Sequence, residues 1–193
     1  MHAFLSAILV ILALGVSTAR ASGPAQFPDS SLYQVETDWQ RDDGKTMRLA
    51  ELRGRVRVVS MFFTGCQNLC PMLMGQLKSL ERSLPADLKK RVGFVMVSMD
   101  VKDDTPDALR KYRKESALSP ENWILLRGSA DDTRELAALL GVHYTPKQED
   151  GQIGHTGVIA ILDREGRIVY KVTGITDQNA FLAELTRNAN PEH

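Results

Sequence analysis

The sequence predicts an α/β fold: a central mixed sheet flanked by helices, with an N-terminal hairpin extension. Three observations predict it. Apolar runs of strand length stand at 56–63, 92–99, 123–127 and 156–162, and a strand buried on both faces carries such a run rather than a polar alternation. Segments that read as helices separate them, the first with Leu69, Leu73, Leu77, Leu80 and Leu84 at three- and four-residue steps. After the last run, Asp163-Arg164-Glu165-Gly166 reads as a turn that folds residues 167–172 back as a hairpin before a closing helix at 177–187. The order β-α-β-α-β-α, hairpin, helix describes one mixed sheet with helices on its faces.

Each element has its own signals. Residues 32–49 alternate enough for a small hairpin turning at Asp43-Gly44. The strand at 56–63 runs into Thr64-Gly65-Cys66-Gln67-Asn68-Leu69-Cys70-Pro71. A helix is expected from Pro71 to about 84, with proline in the first turn, where its missing N–H costs nothing. The strand at 92–99 ends at Asp100. Thr105, Pro106 and Asp107 supply an N-cap, a proline and an acid for a helix running to about 116. Gly141 stops the helix expected at 131–140. Residues 144–154 read as irregular.

The chain of 193 residues carries 24 basic and 24 acidic side chains. That balance gives no pull toward nucleic acid or an anionic membrane surface. Residues 3–16 are almost entirely apolar and Ala19-Arg20-Ala21 fits a small-x-small cleavage site. The expectation is a secretory signal at 1–21 cleaved after Ala21, although its start carries His2 and no Lys or Arg. An uncleaved membrane anchor is the alternative, but the run is shorter than the roughly 18 residues that span a bilayer. Cleavage leaves 193 − 21 = 172 residues with 24 − 1 = 23 basic groups. The mature chain is expected to be an exported, periplasmic monomer without stable membrane insertion. Its organisation is a lead at 22–31, one domain at 32–188 and a tail at 189–193.

Cys66 and Cys70 are the only two cysteines. They lie together at a strand-to-helix turn, where a helix N-terminus stabilises a thiolate. A purely structural disulfide fits poorly, because so small a loop constrains the unfolded chain very little. The residue before a proline avoids α geometry, so Cys70 is expected to cap the helix and to have a lowered pKa. The pair could close a Cys66–Cys70 disulfide or hold one metal ion between two thiolates.

The order and spacing of several motifs carry a resemblance. They are Cys66-x3-Cys70-Pro71, Ser98-Met99-Asp100 followed by Asp104-Thr105-Pro106, Leu140-Gly141-Val142, and His155 opening a strand that ends in Asp163-x-x-Gly166-Arg167. Across roughly 32–187 the chain resembles the Sco/SenC family of copper-binding proteins. The resemblance implies a thioredoxin-like fold, His155 as the metal-binding histidine, and the binuclear copper site of a respiratory oxidase as the client. Two thiolates and an imidazole make a soft set that suits Cu(I), with Cu(II) accommodated by a further oxygen ligand. Structural zinc would want a fourth protein ligand. Asp100, at a strand end, is the carboxylate expected to support the ligands from outside. Two positions depart from the family pattern: Gly154 stands where an Asp is usual, and Gln67-Asn68 lies between the cysteines.

The remaining candidates have plainer roles. His143 and His193 read as surface residues, and Trp39 and Trp123 as structural. Met61, Met96 and Met99 fall at core phases; Met72 and Met74, beside the thiols, are the exceptions to watch. The leading function is a copper metallochaperone. The alternative is an extracytoplasmic thiol-disulfide oxidoreductase using Cys66 and Cys70 on a client's cysteines before metal loading. Against a general oxidoreductase stands Gly157, where such enzymes place a cis-proline. A sensor lacks an output domain here, and a peroxidase lacks its Thr-x-x-Cys turn.

Overall fold

The structure is a computed structural model that describes residues 27–190. The expected signal at 1–21 and His193 lie outside the described residues. Seven strands are described: β1 Asp38–Arg41, β2 Thr46–Arg48, β3 Val56–Phe62, β4 Val92–Ser98, β5 Trp123–Arg127, β6 Val158–Leu162 and β7 Ile168–Thr173. They form one sheet in the order β2-β1-β5-β4-β3-β6-β7. The inner strands β3, β4 and β5 are parallel, whereas β6 and β7 on one side and β1 and β2 on the other are antiparallel. The fold is thioredoxin-like, with the expected hairpin added beyond β5.

Burial follows position in the sheet. Every residue of β3 and β4 is buried, whereas β7, at the edge, alternates between half-buried and exposed. Five helices cover the sheet: α1 Leu69–Ser83, α2 Ala86–Arg91, α3 Pro106–Glu115, α4 Ala130–Leu140 and α5 Gln178–Ala189. On one face Phe62 meets Tyr112 of α3, and Phe94 stacks on Trp123, whose indole N–H donates to Glu81 of α1 at 2.8 Å. On the other face Val59, Val95 and Val97 meet Leu136 of α4 around one small internal gap. Among the described residues no helix is long and apolar enough to cross a membrane.

Local chemistry sets the element ends. Gly44 takes φ +84° in the β1–β2 turn, and Gly141 takes φ +74° as the left-handed C-cap of α4. The start of α4 lies at Ala130 rather than 131, because Ser129 and Asp132 form a reciprocal capping box. The hairpin is shorter than residues 32–49, since Leu32–Gln34 winds into a 3-10 turn. The strand expected from 156 starts at Val158. Helix α2 was not anticipated: six residues after Pro85 are too few to show a period.

One buried ion pair ties the added hairpin to the body. Arg113 of α3 donates through Nη2 to Asp42 Oδ1 at 2.9 Å and to the Trp123 carbonyl at 3.0 Å, and through Nε to the other Asp42 oxygen. Both side chains are largely buried. Removing one partner strands the other charge in the interior, so Asp42→Ala should lower stability by about 3–5 kcal/mol. Urea unfolding of Asp42→Ala, Arg113→Ala and the double variant checks this; the double variant should cost less than the sum of the two singles.

Candidate metal centre

Strand pairing brings the site together. β3 and β6 run antiparallel with Ser60 opposite Ile159. The cysteine turn that follows β3 and the segment with His155 that leads into β6 therefore lie at the same end of the sheet. Gly157 makes the close approach workable. A Cβ there would lie 3.0 Å from Leu73 and 3.3 Å from Leu69, so a side chain would require those leucine ends to give by a few tenths of an ångström.

The cysteine turn differs from expectation in one respect. Helix α1 begins at Leu69, with Asn68 as an N-cap that makes no side-chain hydrogen bond. Cys70 therefore lies inside the first turn, not at the cap. Its backbone N–H donates to Cys66 Sγ at 3.2 Å, so the Cys66 sulfur receives one of the amides a cap would satisfy. Pro71 sits in the same turn, as expected. The expected lowering of the Cys70 pKa does not occur. Burial pushes this thiol far above its ordinary value, and a hydrogen bond with Cys66 adds to the shift. Desolvation here outweighs the helix N-terminus.

His155 faces the thiols across the gap. Its Nε2 lies 3.5 Å from Cys70 Sγ, and its Nδ1 lies 3.2 Å from the Thr156 carbonyl. A carbonyl only accepts, so Nδ1 carries the hydrogen and the Nε2 lone pair points at Cys70. Burial lowers the pKa of this imidazole, which favours the neutral form that binds metals. The Phe63 ring packs edge-on against it with centroids 6.2 Å apart. Both cysteines are free, and one ligand atom from each of Cys66, Cys70 and His155 lies within 4.8 Å of the other two.

The expected carboxylate, Asp100, is not in this cluster. Its Oδ2 accepts from Lys147 Nζ at 2.5 Å, and its Oδ1 from the backbone amides of Lys102 and Asp103. The carboxylate that grips the cysteine turn is Asp104. It accepts from the Thr64 amide at 3.0 Å and from the Thr64 and Ser98 hydroxyls. Sequence reading placed Asp104 only in a helix-start motif. The signal that could have found it is Ser98 and Asp104 flanking one strand end, two polar groups that burial obliges to pair. Met61, Met74, Met96 and Met99 are buried, whereas Met72 is 54% exposed beside the turn. The ring-bearing residue His143 is exposed, and both tryptophans are fully buried.

Residues 31–190 match the SCO1/SenC family. The chain belongs to that family. It is 28% identical over 158 residues to the SCO1 protein homolog of Bacillus subtilis (strain 168), covering 80% of this chain and 81% of that one. Among solved structures it is similar to a SCO1/SenC family lipoprotein from Bacillus anthracis str. Ames, with TM-score 0.71 and 27% identity over 79% of this chain and 92% of that one. It is also similar to Arabidopsis thaliana ScoI with copper bound, with TM-score 0.68 and 25% identity over 79% of this chain and 94% of that one.

The donor set can hold one soft ion. Bonds of about 2.0–2.3 Å in a trigonal arrangement separate the donors by about 3.5–4.0 Å. The observed 3.5 Å between Cys70 Sγ and His155 Nε2 and the 4.8 Å limit on the set need little movement to reach that. The two thiols differ in the metal-free protein: Cys66 is half-buried, while Cys70 is buried and held protonated. Iodoacetamide at pH 8 should therefore label Cys66 well before Cys70. Peptide mass spectrometry at short times checks the order; equal labelling would contradict it.

Proposed function

We propose that the protein is a copper metallochaperone that delivers copper to, or helps assemble, the copper site of a respiratory oxidase. The observation that supports this most directly is the gathering of two sulfurs and one imidazole nitrogen within 4.8 Å. The family and the copper held by the similar Arabidopsis thaliana ScoI point the same way. Copper is the cargo. The Cys66 and Cys70 thiolates and His155 Nε2 would hold it, Cu(I) being favoured because sulfur dominates the set. Loading displaces a proton from the buried Cys70 thiol, whose pKa is raised. The apparent affinity must then rise with pH, because binding releases that proton.

In this reading the protein works outside the cytoplasm as a monomer, exported by a signal cleaved after Ala21. A second reading has support in the paired free thiols. As a thiol-disulfide oxidoreductase, Cys66 and Cys70 would give up two protons and two electrons to a client's disulfide and close their own. The half-buried Cys66 would be the attacking sulfur.

Anaerobic Cu(I) titration against a competing chelator separates the two. The parent should bind one copper, and Cys66→Ser and Cys70→Ser should lose tight binding. His155→Ala should weaken it beyond the about 10–100-fold that loss of an outer-shell partner costs. Binding should tighten from pH 6 to pH 8. Copper binding unchanged in His155→Ala, with disulfide turnover also unchanged, would favour the oxidoreductase.

A further inference from the structure

The segment before His155 is irregular, as its composition predicts, but it folds back on itself as a tongue. Its stem is paired: the Thr156 amide donates to the His143 carbonyl at 2.9 Å, Tyr144 bridges His155, and the Thr145 amide donates to the Gly154 carbonyl at 2.8 Å. At the tip the Gln148 amide donates to the Gln152 carbonyl at 2.8 Å, and Gly151 turns the chain at φ +80°. His155 stands on one leg of this tongue, so whatever holds the tongue also places the imidazole.

Two side chains fasten it at separate points. On one side Lys147 Nζ donates to Asp100 and Asp103, each at 2.5 Å. The Asp103 contact is exposed and contributes little. Asp100 is the firm anchor, being 5% exposed with its other oxygen held by the Lys102 and Asp103 amides. On the other side the Gln152 amide meets the cysteine turn. Its Nε2 donates to the Gly65 carbonyl at 3.2 Å, and its Oε1 accepts from the Gln67 amide at 3.4 Å. Those two residues flank Cys66. Next to Gln152, Ile153 is buried, on the wall of a cavity of about 400 Å³ shared with Met99, Tyr144 and Pro146.

We propose that Lys147 and Gln152 are positioning residues of the metal centre, a two-point latch that sets His155 at bonding distance from Cys66 and Cys70. The proposal rests on the copper reading of that site. Gln152 ties the histidine's tongue directly to the backbone around Cys66, so it fixes one ligand relative to another. Lys147 ties the same tongue to the end of β4, and Asp100 acts on the site through it.

The test is a double-variant comparison of Cu(I) affinity, using Gln152→Ala, Lys147→Ala and Lys147→Arg in the parent and in His155→Ala. In the parent background the two alanine variants should each bind copper about tenfold more weakly, the range for loss of an outer partner of a metal ligand. Lys147→Arg, which keeps a cation for Asp100, should return to within about threefold of the parent. In the His155→Ala background the alanine variants should lose nothing further, because the latch has no ligand left to place. An equal loss in both backgrounds would overturn the proposal, since the side chains would then act on stability alone. If His155→Ala itself binds copper like the parent, the copper site is wrong, and the latch is judged in the metal-free protein. There, amide exchange across residues 143–156 should accelerate in both alanine variants; unchanged exchange would overturn the latch.

Discussion

The site depends on the antiparallel register between β3 and β6. One partner ends where the cysteine turn begins, and the other starts just after the histidine. A slip of one residue would turn every side chain of β6 to the opposite face. The whole strand is apolar and buried on both faces, so such a slip would mismatch side-chain shapes in a close-packed core rather than expose them. Two contacts pin the register at the site end. Ser60 Oγ donates to the Val158 carbonyl at 2.8 Å, and Gly157 lies too close to Leu69 and Leu73 for any Cβ to fit comfortably. Sheet pairing brings the leg that carries His155 to the cysteine end of β3, and the contacts of the segment before it then set its distance from Cys70.

Electrostatics then decide the resting state of the donors. Cys70 and Asp104 are both pushed upward, chiefly by burial, and His155 is pushed downward by the same cause. Each shift favours the uncharged form. A low-dielectric pocket resists two adjacent thiolates, so the metal-free centre holds its proton on Cys70 and keeps its imidazole neutral. Charge enters with the ion, which makes proton release part of loading. The helix N-terminus still contributes, through the Cys70 amide that points at Cys66 Sγ.

The strands were legible because full burial writes an unbroken apolar run. The expected 92–99 and 123–127 match Val92–Ser98 and Trp123–Arg127 closely. The cysteine pair was legible from its isolation and its place before a helix. His155 was not legible from local pattern, because 85 residues separate it from Cys70 and only the topology joins them. It was found through family resemblance. The position of Cys70 in the helix was misjudged by two residues. Preference against α geometry before proline is a bias, and here the helix begins two residues before Pro71 regardless. The stretch at 144–154 was rightly read as irregular, but its internal bridging was not legible, because it rests on main-chain bonds among polar residues and leaves no hydrophobic alternation to read.

Three donors stand on three different elements: Cys66 on a turn, Cys70 on α1 and His155 on the tongue. No single element carries two-thirds of the site rigidly, since Cys66 lies outside the helix that holds Cys70. In the chaperone reading proposed above, transfer by ligand exchange requires that one donor be able to leave while the others hold. Burial ranks them for that task. Cys70 is fixed by the first turn of a packed helix, and its side chain is nearly inaccessible at 4% exposure. Cys66 is the more open sulfur, and its loop is tied to the rest of the site through Gln152 and through Asp104 by way of Thr64. The polar contacts around the centre thus fall on the donors that the hydrophobic core does not fix, which is where the proposed chaperone would balance retention against release.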